Sequence, residues 1–254
     1  VSIEEYDKNC ENTGKRGVLN EPPLNHRRQT VSSVKKQLFE QLALIGRSLS
    51  SPQRIELMDY LAQAERSVEE LSQLTGLSLA NTSRHLQQMK QAGLVSVRKH
   101  GKHRLYQLAG SDVVQLVHHL RQAAENHLAE VNRLMDTIMP GKEQTPVMSS
   151  QTLAQQLDRE KVLILDVRPA KEFQQGHIKG AINVLPENID STLETLPEPD
   201  ETDTIVAYCR GPYCVYSYQM VEQLQAAGRQ AWRLSEGFPE WKAAGLPYES
   251  CDAK

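Results

Sequence analysis

Residues 74–108, LTGLSLANTSRHLQQMKQAGLVSVRKHGKHRLYQL, constrain the fold more than any other stretch of the 254-residue chain. Just upstream, Ser67-Val-Glu-Glu70 has the S-x-x-E spacing of a capping box, in which hydroxyl and carboxylate each satisfy a backbone N–H of the other residue. A short helix is therefore expected to open there and to end near Gly76. After the tight turn Thr75-Gly76-Leu77-Ser78, Ser78 can cap a second helix that runs to Gly93. LVSVRKHGKHRLYQL (94–108) then reads as two alternating strands joined by a basic turn at His100-Gly101-Lys102. Two helices, a tight turn and a hairpin make a helix-turn-helix with a wing. A second helix of this kind fits the major groove, where short polar side chains near its N-terminus reach base edges. Here these are Asn81, Thr82, Ser83, Arg84 and His85. The wing, with Arg98, Lys99, His100, Lys102, His103 and Arg104, is expected to follow phosphates or dip into a minor groove. Residues 78–105 hold six Lys or Arg, three His and no carboxylate, so nothing there repels a phosphate backbone. A small helical domain with a solvated basic face is the alternative, but it leaves the order of cap, turn and hairpin unexplained.

The net charge of −3 hides an asymmetry. Residues 31–109 carry a net +5, whereas residues 150–254 carry a net −6, which points to two domains with different partners. PGKEQTPVMSS (140–150) is the boundary, because its Pro, Gly and Ser follow a long helical pattern. Before it, apolar residues recur at helical spacing in 33–46 (Val34, Leu38, Leu42, Leu44, Ile45) and in 51–63 (Ile55, Leu57, Met58, Leu61). A third stripe covers 111–138 (Val114, Leu116, Val117, Leu120, Leu128, Val131, Leu134, Met135). After it, short apolar runs at 161–167, 180–184, 204–208 and 230–234 alternate with helical or loop segments, which predicts α/β architecture with a largely parallel sheet. The expected organisation is an N-terminal extension at 1–30, disordered or added in expression since the chain opens on Val. A DNA-binding and dimerisation domain at 31–139, a linker at 140–150 and an α/β domain at 151–254 follow.

No apolar run approaches the roughly 20 residues that span a bilayer, and the N-terminus lacks the apolar core of a secretory signal. Four cysteines in a chain of this length do not make a disulfide scaffold, so a reducing cytoplasm is expected. In that setting YCRGPYCVYS (208–217) stands out. Cys209 follows an apolar strand and precedes a helical pattern, where several backbone N–H groups can converge, so the backbone of Arg210 to Val215 (Gly211, Pro212, Tyr213 and Val215 among them) can form an anion cradle. Such a cradle, the helix N-terminus and the cation Arg210 all favour a thiolate, and a terminal sulfur added to it would be an anion held in the same way. Cys214, five residues on, is either a second reactive thiol, close enough for a disulfide or sulfur bridge, or a small buried residue at the helix start. Cys10 and Cys251, near the ends, are expected to be bystanders.

Both halves resemble known families. The stretch from Leu74 to Leu108 is similar to the recognition helix and wing of ArsR/SmtB-type winged-helix repressors, a resemblance that covers about 32–138 and is most specific around Ser78–Leu86 and Ala92–Val95. It implies a mainly helical homodimer, paired through its first and last helices, that releases operator DNA on binding an inducer. The 111–138 stripe suits such a dimer helix, though a core helix has the same period. Metal ligands known in that family are missing: residues 31–208 contain no cysteine, and Val114 and Leu116 stand where an Asp-x-His pair is required. His127 and Glu130 match only the other half of that site, and two ligands do not close a tetrahedral shell, so no metal is expected.

LILDVRPAKEFQQGHIKGAINV (163–184), the 206–228 stretch and SEGFPEWKAAGLPYE (235–249) resemble the rhodanese sulfurtransferase domain over about 150–250. That resemblance makes Cys209 the sulfur-carrying nucleophile. It gives Asp166, Arg168, Glu172, Gly176 and His177 roles that mostly support loop and fold. Related phosphatases carry C-x5-R, and Val215 occupies that Arg position here. Together the resemblances imply a repressor answering a small sulfane-sulfur donor (persulfide, polysulfide or thiosulfate), with no cofactor. A sulfurtransferase tethered to DNA and a dithiol sensor of oxidant or arsenite remain open alternatives.

Overall fold

The computed structural model describes residues 24–157, 162–188, 191 and 204–251. By compactness the chain divides after Leu44. Most of helix α1 (Leu24–Leu49) lies in the first unit. Residues 24–30, set aside above as extension, are part of this helix; residues 1–23, with Cys10, lie outside the described residues. Along α1, Val34, Leu38 and Leu42 recur every fourth position, and all three are exposed, as are Phe39 and Leu44.

The second unit opens with helices α2 (Pro52–Gln63), α3 (Val68–Thr75) and α4 (Leu79–Gln91), then the hairpin β1 (Val95–His100) and β2 (His103–Leu108). The capping box closes as expected: the Ser67 hydroxyl accepts from the Glu70 N–H at 3.2 Å, and the Glu70 carboxylate accepts from the Ser67 N–H at 2.9 Å. Gly76 ends α3 at φ 69°, a left-handed geometry that suits glycine. The Ser78 hydroxyl caps α4 through the Asn81 N–H at 3.3 Å. Ser67→Ala, which removes one of the two reciprocal bonds, should lower stability by about 1 kcal/mol in urea unfolding. Leu57, Met58, Leu61, Leu71, Leu86, Met89, Leu94 and Tyr106 form the core that packs helices against the wing. The turn between α2 and α3 extends the hairpin, since Arg66 and Tyr106 exchange backbone hydrogen bonds at 3.0 and 2.8 Å.

The 111–138 stripe breaks. Helix α5 (Ser111–His127) stops at Leu128, which is extended (φ −115°, ψ 99°), and α6 (Ala129–Ile138) starts anew. Met135 and Met139 bury themselves against Tyr218, with Val131 and Val215 alongside. Of the stripe beyond the break, Val131 and Met135 thus pack on the C-terminal domain, whereas Leu128 and Leu134 stay exposed.

That domain contains β3 (Val147–Met148), α7 (Ser150–Gln156), β4 (Val162–Asp166), α8 (Ala170–Gln175), β5 (His177–Ile178) and β6 (Ile182–Asn183). It continues with β7 (Thr204–Tyr208), α9 (Val215–Ala226), β8 (Ala231–Leu234), α10 (Phe238–Ala243) and β9 (Tyr248–Glu249). Five strands form a wholly parallel sheet in the order β3-β8-β7-β4-β6, and β5 pairs with β9 in a small antiparallel ribbon. Alternation along β4 and β7 sends Leu165, Ile205 and Ala207 to one face, under Met220, Val221 and Leu224 of α9. Ile164, Val206 and Tyr208 go to the other, against Phe238 and Trp241. The expected linker at 140–150 is no free tether: β3 within it is an edge strand, paired in register with Arg233 and Leu234 of β8. No helix among the described residues is long and apolar enough to cross a membrane.

Candidate functional site

The carboxyl ends of β4 and β7 place Asp166 and Cys209 at one end of the sheet, where ligand sites of open parallel sheets form. Tyr208 closes β7 as a buried residue; Cys209 follows at 3% exposure, and Cys214 caps α9. The two cysteines are joined as a disulfide across Cα atoms 6.2 Å apart, inside the usual bridging range. Cys251 is free and exposed. The cradle is poorer than its sequence suggests, because Pro212 has no N–H and the Cys214 N–H donates to the Gly211 carbonyl at 3.2 Å. Gly237, the residue just ahead of α10, presses on the loop. A methyl group at Gly237 would fall 2.2 Å from the Arg210 carbonyl oxygen and 2.7 Å from the Gly211 nitrogen.

Arg210 does not point its charge at the thiols. It makes a two-pronged pair with the fully buried Glu172 of α8, at 3.0 and 2.6 Å, and stacks 5.2 Å over the Tyr60 ring of α2. Burial works against its charge, yet the Glu172 bonds hold its pKa above the ordinary value. Glu172 is shared: Arg66, on the turn beside the wing, reaches the same carboxylate oxygen at 2.5 Å. Gln63 at the end of α2 adds a further bridge, donating to the Arg210 carbonyl at 3.0 Å and accepting from Arg168 at 3.4 Å. The thiol loop is therefore fastened to the helix-turn-helix half through both side chain and backbone.

Asp166 and Arg168 are sealed at 0% exposure and pair with each other. The Asp166 carboxylate accepts from the Arg168 backbone N–H (2.9 Å), from its guanidinium (2.6 and 3.0 Å) and from the Tyr208 hydroxyl (2.6 Å). Burial and the adjacent Asp166 push the Tyr208 phenol far up, so it stays a neutral donor. A second cluster flanks the loop: Arg121 of α5 pairs with Asp59 of α2, approaches Glu240 of α10 at 3.4 Å and lies 5.8 Å over the Tyr213 ring. Burial raises the carboxyls of Asp59 and Glu240 against the lowering effect of Arg121. Burial, then a hydrogen bond to Glu125, pushes the Tyr213 phenol up to about 12.

On the reading helix, Asn81 and Arg84 are exposed and Ser83 and His85 half-buried. Thr82 is a correction: it is fully buried, and its hydroxyl donates back to the Ser78 carbonyl at 3.0 Å, so it faces the core. Burial, with Arg54 and Arg84 nearby, lowers the pKa of His85. Gln87 and Gln88, passed over in the sequence, are exposed on the same helix. Lys99, Lys102 and Arg104 of the wing are exposed, whereas Arg98 pairs with Glu65 at 2.5 Å. A cleft of about 1140 Å³ separates the wing (Arg98, His103) from Lys171 and Lys242 of the C-terminal domain, and neither Cys209 nor Cys214 lines it.

A winged helix-turn-helix packed on a parallel α/β domain with a cysteine loop at its strand ends defines a DNA-binding regulator carrying a rhodanese-like domain. Residues 51–97 match the bacterial regulatory protein, arsR family, and residues 149–244 match the rhodanese-like domain. The HTH-type transcriptional regulator Rv0324 of Mycobacterium tuberculosis is 37% identical over 219 residues, 86% of this chain and 94% of its own length. An alignment of that length runs through both halves. The chain belongs to the arsR family of bacterial HTH-type transcriptional regulators, in the form that carries a rhodanese-like domain. The dual specificity phosphatase Cdc25 of Arabidopsis thaliana is 28% identical over 102 residues, 37% of this chain and 70% of its own. A winged helix-turn-helix fragment of Mb0332 from Mycobacterium bovis, described as homodimeric, is 38% identical, with a TM-score of 0.36 over 37% of this chain and 87% of the fragment.

Proposed function

We propose that this regulator is a homodimeric repressor whose grip on operator DNA is set by sulfane sulfur arriving at Cys209, with Cys214 as the resolving thiol. The observation that carries this reading is the two-thiol loop itself: its cysteines lie within bridging distance, and its Arg210 is held against Tyr60 and Gln63 of the reader. In the reduced protein the Cys209 thiolate attacks the outer sulfur of a persulfide RS–SH. The donor S–S bond breaks, RS⁻ leaves with the electron pair, and Cys209 becomes a persulfide. The Cys214 thiolate then attacks the inner sulfur, forming the Cys209–Cys214 disulfide and expelling HS⁻. Two thiols are oxidised, the sulfane sulfur is reduced to sulfide, and no other oxidant enters.

The exposed face of α1 (Val34, Leu38, Leu42) supports pairing with a second copy. Asn81, Ser83, Arg84 and His85 are the proposed base readers, and Lys99, Lys102 and Arg104 the phosphate contacts. The functional domains are taken as 31–139 and 151–254, in a protein that works in the cytoplasm.

The test is a gel shift on DNA that the reduced protein selects from a random-sequence pool. Persulfide should weaken binding at least tenfold, equivalent to about 1.4 kcal/mol. Cys209→Ser should abolish the response and Cys214→Ser should blunt it. Unchanged affinity in persulfide-treated wild type refutes the reading. A response to peroxide or arsenite alone would favour the dithiol sensor, and steady turnover of thiosulfate in Cys214→Ser would favour the sulfurtransferase.

A further inference from the structure

We infer that Arg66, a residue of the DNA-reading half, is a positioning residue for the reacting thiol of the rhodanese-like half. The inference rests on the reading of Cys209 as that thiol. Glu172 holds two guanidiniums at once, Arg210 from the loop and Arg66 from the α2–α3 turn, on the same carboxylate oxygen at 2.6 and 2.5 Å. Both guanidiniums also gather at one ring, 5.2 and 6.0 Å from the centre of Tyr60. Arg66 therefore fixes how firmly Glu172 restrains Arg210, and with it the start of the loop. Its backbone is bonded in both directions to Tyr106 of the wing, so the residue that restrains the loop moves with the wing.

Two further facts separate Arg66 from an ordinary structural ion pair. It is 5% exposed, and its Nε is buried with no acceptor among the described residues, which leaves the Glu172 carboxylate as the group its charge answers. It also weighs in the charge around the loop. Facing the loop are Arg210 itself, Glu172 from α8, Glu240 from α10, Asp59 from α2, and Arg121 and Glu125 from α5. Beneath it Asp166 and Arg168 pair with each other, next to the phenol of Tyr208, and the phenol of Tyr213 lies in the loop. Arg66 is one of the guanidiniums that offset these carboxylates. Without it the surroundings gain a net negative charge, which disfavours a second anion, thiolate or persulfide, on Cys209.

The test follows the rate of iodoacetamide alkylation at Cys209 against pH in the reduced full chain, with Cys10 and Cys251 replaced by Ser. Trypsin cleaves after Arg210, so Cys209 and Cys214 fall in separate peptides and mass spectrometry reads Cys209 alone. Arg66→Gln should move the midpoint up by about half to one pH unit and slow alkylation at pH 7 about three- to tenfold. Arg66→Lys, which keeps the charge, should return the midpoint to that of the parent. A parental profile in Arg66→Gln overturns the inference. So does an equal shift in both variants accompanied by the same fall in melting temperature, which marks a packing role only. Failure of the sulfur-sensing reading would appear instead in the gel shift, as DNA affinity indifferent to persulfide, whatever the alkylation profile.

Discussion

Asp166→Ala should lower the stability of the rhodanese-like half by about 3–5 kcal/mol, the usual consequence of leaving a buried charge without its partner. The carboxylate lies at 0% exposure, and removing it strands the Arg168 guanidinium beneath the thiol loop. The Tyr208 hydroxyl loses its acceptor, and the Arg168 backbone N–H loses one as well. Arg168 keeps the Gly176 carbonyl at 2.7 Å and the Gln63 side-chain oxygen at 3.4 Å, too little to satisfy a buried cation. Both tryptophans of the chain, Trp232 and Trp241, lie in this half, so fluorescence during urea unfolding isolates its transition. Asp166→Asn, which keeps shape and some acceptor capacity, should be affected less than Asp166→Ala. If Asp166→Ala instead unfolds within about 0.5 kcal/mol of the parent, the pair is no foundation for the loop.

Gly237→Ala should be nearly as damaging, by a different route. The φ of −99° is open to any residue, so the expected loss comes from space alone. The new methyl would sit 2.4 Å from the Arg210 carbonyl carbon, and the obstacle is backbone, which cannot swing aside as a side chain can. Overpacking of this kind costs roughly 1–3 kcal/mol or more, and the loop has to shift to relieve it. That shift carries away the Arg210 carbonyl that Gln63 holds. The expected result is a lower urea midpoint and a smaller fraction of Cys209–Cys214 bridge in a fixed thiol buffer, read by mass. Gly46→Ala is the control, since nothing lies within 4 Å of the added carbon and the helix there gains propensity. Equal behaviour of Gly237→Ala and Gly46→Ala would show that the contact is soft.

The winged helix and the parallel strands were legible because their signals are local. A capping box, a glycine in left-handed geometry and period-two alternation each declare themselves within a few residues. Thr82 was misread because it was judged by its place near the helix start and not by its face. Thr82, Leu86 and Met89 follow one another at spacings of four and three, which puts Thr82 on the buried side. The break at Leu128 has no Gly or Pro to announce it; contacts of Met135 and Met139 with Tyr218 decide it, about 80 residues away in sequence. The cysteine loop was visible as a motif, but its attachment was not. Arg66–Glu172, Gln63–Arg210 and Arg121–Glu240 each join residues more than 100 positions apart, and no periodicity encodes such pairs.

The brevity of β3 has a practical side. Its two residues shield the flank of β8, and Val147 already shows half of its surface. The rhodanese-like match begins at residue 149, just beyond this strand. A fragment cut there would bare the hydrogen-bonding groups of β8, an invitation to self-association of the sort that natural sheets suppress with short or covered borders. Producing the rhodanese-like half in isolation therefore calls for a start upstream of Pro146, whose carbonyl also accepts from the Arg233 N–H at 2.8 Å.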